Sequence, residues 1–163
     1  MSTTKNNTMK KLLLILLVPI LAIGQIKKVD ESEKPVVIGK AKNLAAVIAT
    51  MHKVSGEPDY YFVTFDNIKY QHITDVKSFG FKDVDGAFDY LYSSVAAAAK
   101  ERKKEIEFEL EDGLLSVSIV KAIGVINVQF NWFENGVLSA SGYMTPKQYS
   151  ALFDKPYNKK DWK

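Results

Sequence analysis

The sequence predicts an α+β fold, an antiparallel β-meander packed by one long helix (about 84–103) and a short C-terminal helix (about 146–154). Three observations predict it. Ile126, Val128, Phe130 and Trp132 alternate with Asn127, Gln129 and Asn131, a period of two that puts large apolar groups on one face and amides on the other. Asn135-Gly136 follows, and both residues tolerate the positive φ that a tight type I′ hairpin turn requires, so Val137–Met144 returns as a second strand. Finally, the strand-like stretches fall in runs on either side of one long helical stretch instead of alternating with helices.

A chain of 163 residues suits one domain with a sizeable core. The formal charge of +3 belongs to its first 24 residues, where Lys5, Lys10 and Lys11 stand without an acid. Beyond them 19 basic residues balance 19 acidic ones. A nucleic-acid binder carries a basic stripe, and no such excess exists here. The absence of cysteine excludes disulfides, thiol catalysis, thiolate metal sites and lipid attachment through an N-terminal cysteine.

Residues 1–24 read as a signal peptide. Met9-Lys10-Lys11 opens the pattern, Leu12–Ile23 is uncharged, and Ala22 and Gly24 are small residues two apart, as a signal-peptidase site requires. The apolar run is shorter than the roughly 20 residues of a spanning helix. Cleavage would leave Gln25 first, with export to the periplasm or beyond and no membrane span in the mature chain. Residues 25–34 are polar and charged and read as a flexible lead-in. Residues 35–163 then form a single α+β domain with a polar C-terminal tail.

Within that domain, Pro35–Ile38 begins the ordered part. Asn43–Ser55 reads two ways. Leu44, Val47, Ile48, Met51 and Val54 fit a helical stripe, but four β-branched residues and the turn cluster Ser55–Asp59 favour a strand. Tyr60–Phe65 is rich in strand formers, Asp66-Asn67 turns the chain, Ile68–Ile73 pairs back, and Val76, Phe79 and Phe81 suggest a short strand broken at Gly80. Asp83 caps the long helix, whose stripe is Phe88, Leu91, Tyr92, Val95 and Ala99, with basic residues from Lys100 to Lys104 at its negative end. This helix is expected on the sheet face that carries Phe108, Val128, Phe130 and Trp132. Glu105–Ile119 is a hairpin turned at Asp112-Gly113. Thr145-Pro146-Lys147-Gln148 is a capping box with proline at the first helical position, and Trp162 anchors the tail.

No catalytic set, cofactor motif or metal cluster assembles from these residues. The abundant aromatics suit either a core or a ligand groove, and Tyr61, Tyr70, His72 and Trp132 are the candidate ligand-binding residues. Three functions are open. The favoured one is a non-enzymatic domain that binds a protein or a small molecule through a sheet face or an exposed edge. The second is a small hydrolase using His72 with Asp75. The third is a divalent-cation binder using the glutamates at 105, 107, 109 and 111, which share one strand face about 6–7 Å apart; that row otherwise reads as a solvated face that discourages aggregation.

From Asp59 through Tyr70, in His72-Ile73-Thr74-Asp75 and Lys77-Ser78-Phe79, and again in Tyr143–Tyr149 with Leu152-Phe153, the sequence resembles small exported bacterial α+β proteins of unassigned function. The resemblance covers most of the mature chain. It implies export and a compact α+β domain, and it carries no catalytic residues.

Overall fold

A computed structural model of the chain describes residues 34–70 and 72–163. The expected signal peptide and nearly all of the polar lead-in lie outside the described residues. The element order is β1 (Val36–Lys42), β2 (Val47–Val54), β3 (Tyr60–Asp66), β4 (Val76–Lys82), α1 (Ala87–Lys100), β5 (Glu105–Leu110), β6 (Gly113–Ala122), β7 (Val125–Glu134), β8 (Val137–Ala140) and α2 (Pro146–Leu152), closed by a 3-10 turn at Lys159–Trp162. The α+β class with antiparallel meanders is as expected. The strands divide into two four-stranded sheets, β1-β2-β3-β4 and β5-β6-β7-β8. Each sheet is followed by a helix, so the architecture repeats a meander-then-helix unit that the sequence does not display as a repeat.

Local chemistry explains most of the boundaries. Asn135 and Gly136 take φ of 50° and 77°, the left-handed pair that a type I′ turn needs. The Asn43 side chain accepts from the N–H groups of Ala45 and Ala46 at 2.9 and 2.7 Å, which closes the β1–β2 turn and settles Asn43–Ser55 as turn plus strand. Thr145 and Gln148 make the capping box of α2. Three expectations are corrected. α1 begins at Ala87 with Gly86 as its cap, because Asp83 reaches past it to accept from the N–H of Phe88 at 3.0 Å. Residues 67–70 and 72–75 form no strand, and β3 pairs instead with the whole of β4, uninterrupted at Gly80. The last strand stops at Ala140, and pairing resumes only as the Val128–Met144 bridge.

The two sheets cross. One end of the β3–β4 hairpin bonds to β8, where Asn67 accepts from Ala140, and the other end reaches the β5–β6 turn, where Lys82 meets Glu111. Those points lie at opposite edges of the second sheet, so β3 and β4 run across its strands. Their inner faces share one core. Phe79 meets Phe130 edge-on at 5.2 Å and Trp132 at 5.8 Å, and Tyr149 of α2 closes on Phe130 at 6.1 Å. The expectation puts α1 on this face, but the aromatic partners of Phe130 are Phe79 of the first sheet and Tyr149 of α2, and that of Trp132 is Phe79. α1 places Phe88 against Tyr61 (4.4 Å) and Phe153 (5.2 Å). Trp162 is fully buried against Tyr149, as its anchoring role requires. Each of these large side chains contributes on the order of 1.5–3 kcal/mol by leaving water.

Candidate functional site

The four candidate ligand residues separate into two pairs. Tyr61 (8% exposed) and Trp132 (2%) point from β3 and β7 into the shared core. Trp132 follows the polar alternation of Asn127, Gln129 and Asn131 and is covered by Phe79 of the first sheet, whereas Tyr61 lies in an all-aromatic run, Tyr60-Tyr61-Phe62, and is covered by Phe88 of α1. Tyr70 and His72 are exposed on the β3–β4 loop, where they line an open cleft of about 550 Å³ together with Asp66, Asn67, Ile68, Ile73 and Thr74.

The loop is held at its base. Asn67 is buried, and its side chain donates to Asp75 at 2.9 Å while accepting from the N–H of Ala140 at 3.1 Å. Asp75 also pairs with Lys77 at 3.0 Å. The Asn67 amide, and then the Lys77 ammonium, hold the Asp75 carboxyl below its usual range. This carboxylate is thus a structural tie. His72 makes no hydrogen bond to the described residues, so the base–orienter contact of a nucleophilic site is not assembled between them. Nor is any group of three or more His, Asp or Glu placed to hold a metal ion among the described residues. No helix among them is long and apolar enough to cross a membrane.

A second cavity, of about 350 Å³, lies between α1 and β5, lined by Phe81, Ala87, Tyr90, Leu91, Phe108 and Leu110 with Glu107 and Glu109 at its rim. Tyr90 is 64% exposed and stands edge-on to Phe108 at 6.3 Å. Beside this groove β5 forms an edge of its sheet, pairing among the described residues with β6 alone. Leu110 faces Gly113 across a two-residue turn, so that pair exchanges backbone bonds, and every second residue back along β5 does the same. The bond from the Ile119 N–H to the Lys104 carbonyl (2.7 Å) continues the series. Lys104, Ile106, Phe108 and Leu110 therefore turn their backbone groups to β6. Glu105, Glu107 and Glu109 turn theirs outward, where no described residue bonds to them.

The same residues carry the acidic row. Glu105 bonds to Ser116, and Glu111 sits in the turn beside Lys82, while Glu107 and Glu109 have no ion pair among the described residues. The strict alternation of glutamate with Ile106, Phe108 and Leu110 is plain in the sequence. That this strand lies at an edge, with Tyr90 above its apolar side, depends on strand order and has no local signal.

Comparison with protein-family models, with curated proteins and with solved structures finds no match.

Proposed function

We propose that this chain is an exported, non-enzymatic domain that binds another polypeptide by adding one of its strands to β5. The observation that carries the reading is the line of backbone groups at Glu105, Glu107 and Glu109 that no described residue bonds, set against an apolar groove. An incoming extended segment gains main-chain hydrogen bonds from the edge and places alternate side chains in the groove, which is how strand addition combines affinity with selectivity. Export rests on the leader, and N-terminal sequencing of the exported protein is expected to begin at Gln25.

Amide hydrogen exchange tests the binding reading directly. In the free protein Ile106, Phe108 and Leu110 are expected to be protected by β6, and Glu107 and Glu109 to exchange fast. Addition of an extended peptide that alternates valine with polar residues is expected to slow Glu107 and Glu109 selectively. If both exchange at their free rate in the presence of every such peptide, strand addition at this edge is wrong.

A second reading has one observation in its favour. Tyr70 and His72 share the loop cleft, so a small ligand there is expected to perturb the His72 ring resonances without changing exchange along β5.

A further inference from the structure

We infer, resting on the strand-addition reading, that the segment β5 accepts alternates basic and apolar residues. β5 shows two different surfaces to anything laid along its edge. On the inner side, successive positions of an added strand meet the groove of Phe81, Tyr90, Leu91 and Phe108, which takes apolar side chains. On the outer side they meet Glu107 and Glu109. The register places Ser116 and Leu114 across from these two glutamates on β6, so no cation on the neighbouring strand neutralises them. Their side chains stand about 6–7 Å apart, so a lysine or arginine seated beside them relieves a like-charge repulsion and gains an ion pair. Because side chains of a strand alternate between faces, one periodic segment satisfies both surfaces at once. A basic–apolar alternation fits, an acidic–apolar one is repelled, and a neutral one gains the groove alone.

The alternative is that the acidic row only guards the edge against pairing with a second copy of this chain. A panel of three eight-residue peptides separates these ideas, each alternating valine with lysine, serine or glutamate, titrated into the purified protein by calorimetry at low and at physiological salt. Two exposed ion pairs make the lysine peptide bind about tenfold tighter than the serine peptide at low salt. The advantage shrinks as salt rises, because the charges are solvent-exposed. The double variant Glu107→Gln with Glu109→Gln is expected to erase the lysine preference and keep the serine peptide's affinity. Equal affinity for all three peptides would overturn the charge inference and leave strand addition standing. Binding of none would overturn both. A lysine preference that survives the double variant places it elsewhere and overturns the inference. Self-association of the double variant, with no peptide binding by the parent, assigns the glutamates to edge protection alone.

Discussion

The two edges of the second sheet differ at one point of attachment. At β8 both outward backbone groups of Ala140 are taken, its N–H by the Asn67 side chain at 3.1 Å and its carbonyl by the N–H of Ile68 at 2.9 Å. At β5 the outward groups of Glu105, Glu107 and Glu109 meet no described residue. One edge is tied at Ala140 by a loop from the other sheet, while Leu138, the other outward residue of β8, meets no described residue. The other is flanked by a groove and acidic side chains. An edge whose outward groups are left unbonded by the described residues can take up a further strand.

The largest effect belongs to the first sheet's covered edge. α2 packs on β1 so closely that a Cβ built on Gly39 would lie 2.1 Å from the Leu152 carbonyl oxygen. Backbone cannot yield as a side chain does, so Gly39→Ala forces α2 away from the strand. A loss of about 3 kcal/mol is expected, the upper part of the range for overpacking, read as a fall in the urea midpoint. Next comes Asn67→Ala, which strands the Ala140 N–H and releases Asp75. An unsatisfied buried donor costs about 1–3 kcal/mol, and exchange at Ala140 is expected to rise in step. A midpoint unchanged by Asn67→Ala would mean that the β8 edge is not held by this loop.

Asp75 gives a smaller effect with a defined pH signature. Its folded carboxyl titrates below the ordinary 3.8, through the Asn67 amide first and Lys77 second. A depressed acid contributes stability that is present above its unfolded value and lost as pH falls through the folded one. Asp75→Asn is therefore expected to flatten the acid limb of the stability profile below about pH 4, and to leave its slope between pH 6 and 8 unchanged. His52 has the same sign in its own window. Burial, and then Lys40, lower its folded value, so its contribution is intact above about 6.5 and falls away as it protonates.

Much of this was legible in the chain because the governing physics is local. The Asn135-Gly136 turn, the Thr145–Gln148 capping box and the alternation in β5 and β7 each need only neighbouring residues. What was illegible depends on residues far apart. Asp66-Asn67 reads as a turn, but Asn67 gives no sign that its partner is Ala140, so Ile68–Ile73 reads as a strand pairing back where β3 in fact pairs with β4. Phe130 and Trp132 announce a buried face without saying that Phe79 of another sheet covers it. Tyr90 sits off the apolar stripe of α1, which marks it as exposed but not as the wall of a groove. The candidate site divided for the same reason. Tyr61 and Trp132 are aromatic residues of strand-forming runs, and only the packing of Phe88 on the one and of Phe79 on the other decides between core and groove.

The smallest effect on stability is expected where the proposed contact is. Glu107→Gln with Glu109→Gln removes two exposed charges that have no ion pair among the described residues and leaves every β5–β6 bond intact. Surface changes of this kind fall within about 0.5 kcal/mol. Here the sign should be slightly stabilising at low salt, since a like-charge repulsion is relieved, and the gain should vanish as salt screens it. A destabilisation of the size seen at Asn67 would mean that the glutamates hold the sheet together. β5 would then serve the fold as β8 does at Ala140, and the distinction between an edge used for folding and an edge left for contact would disappear.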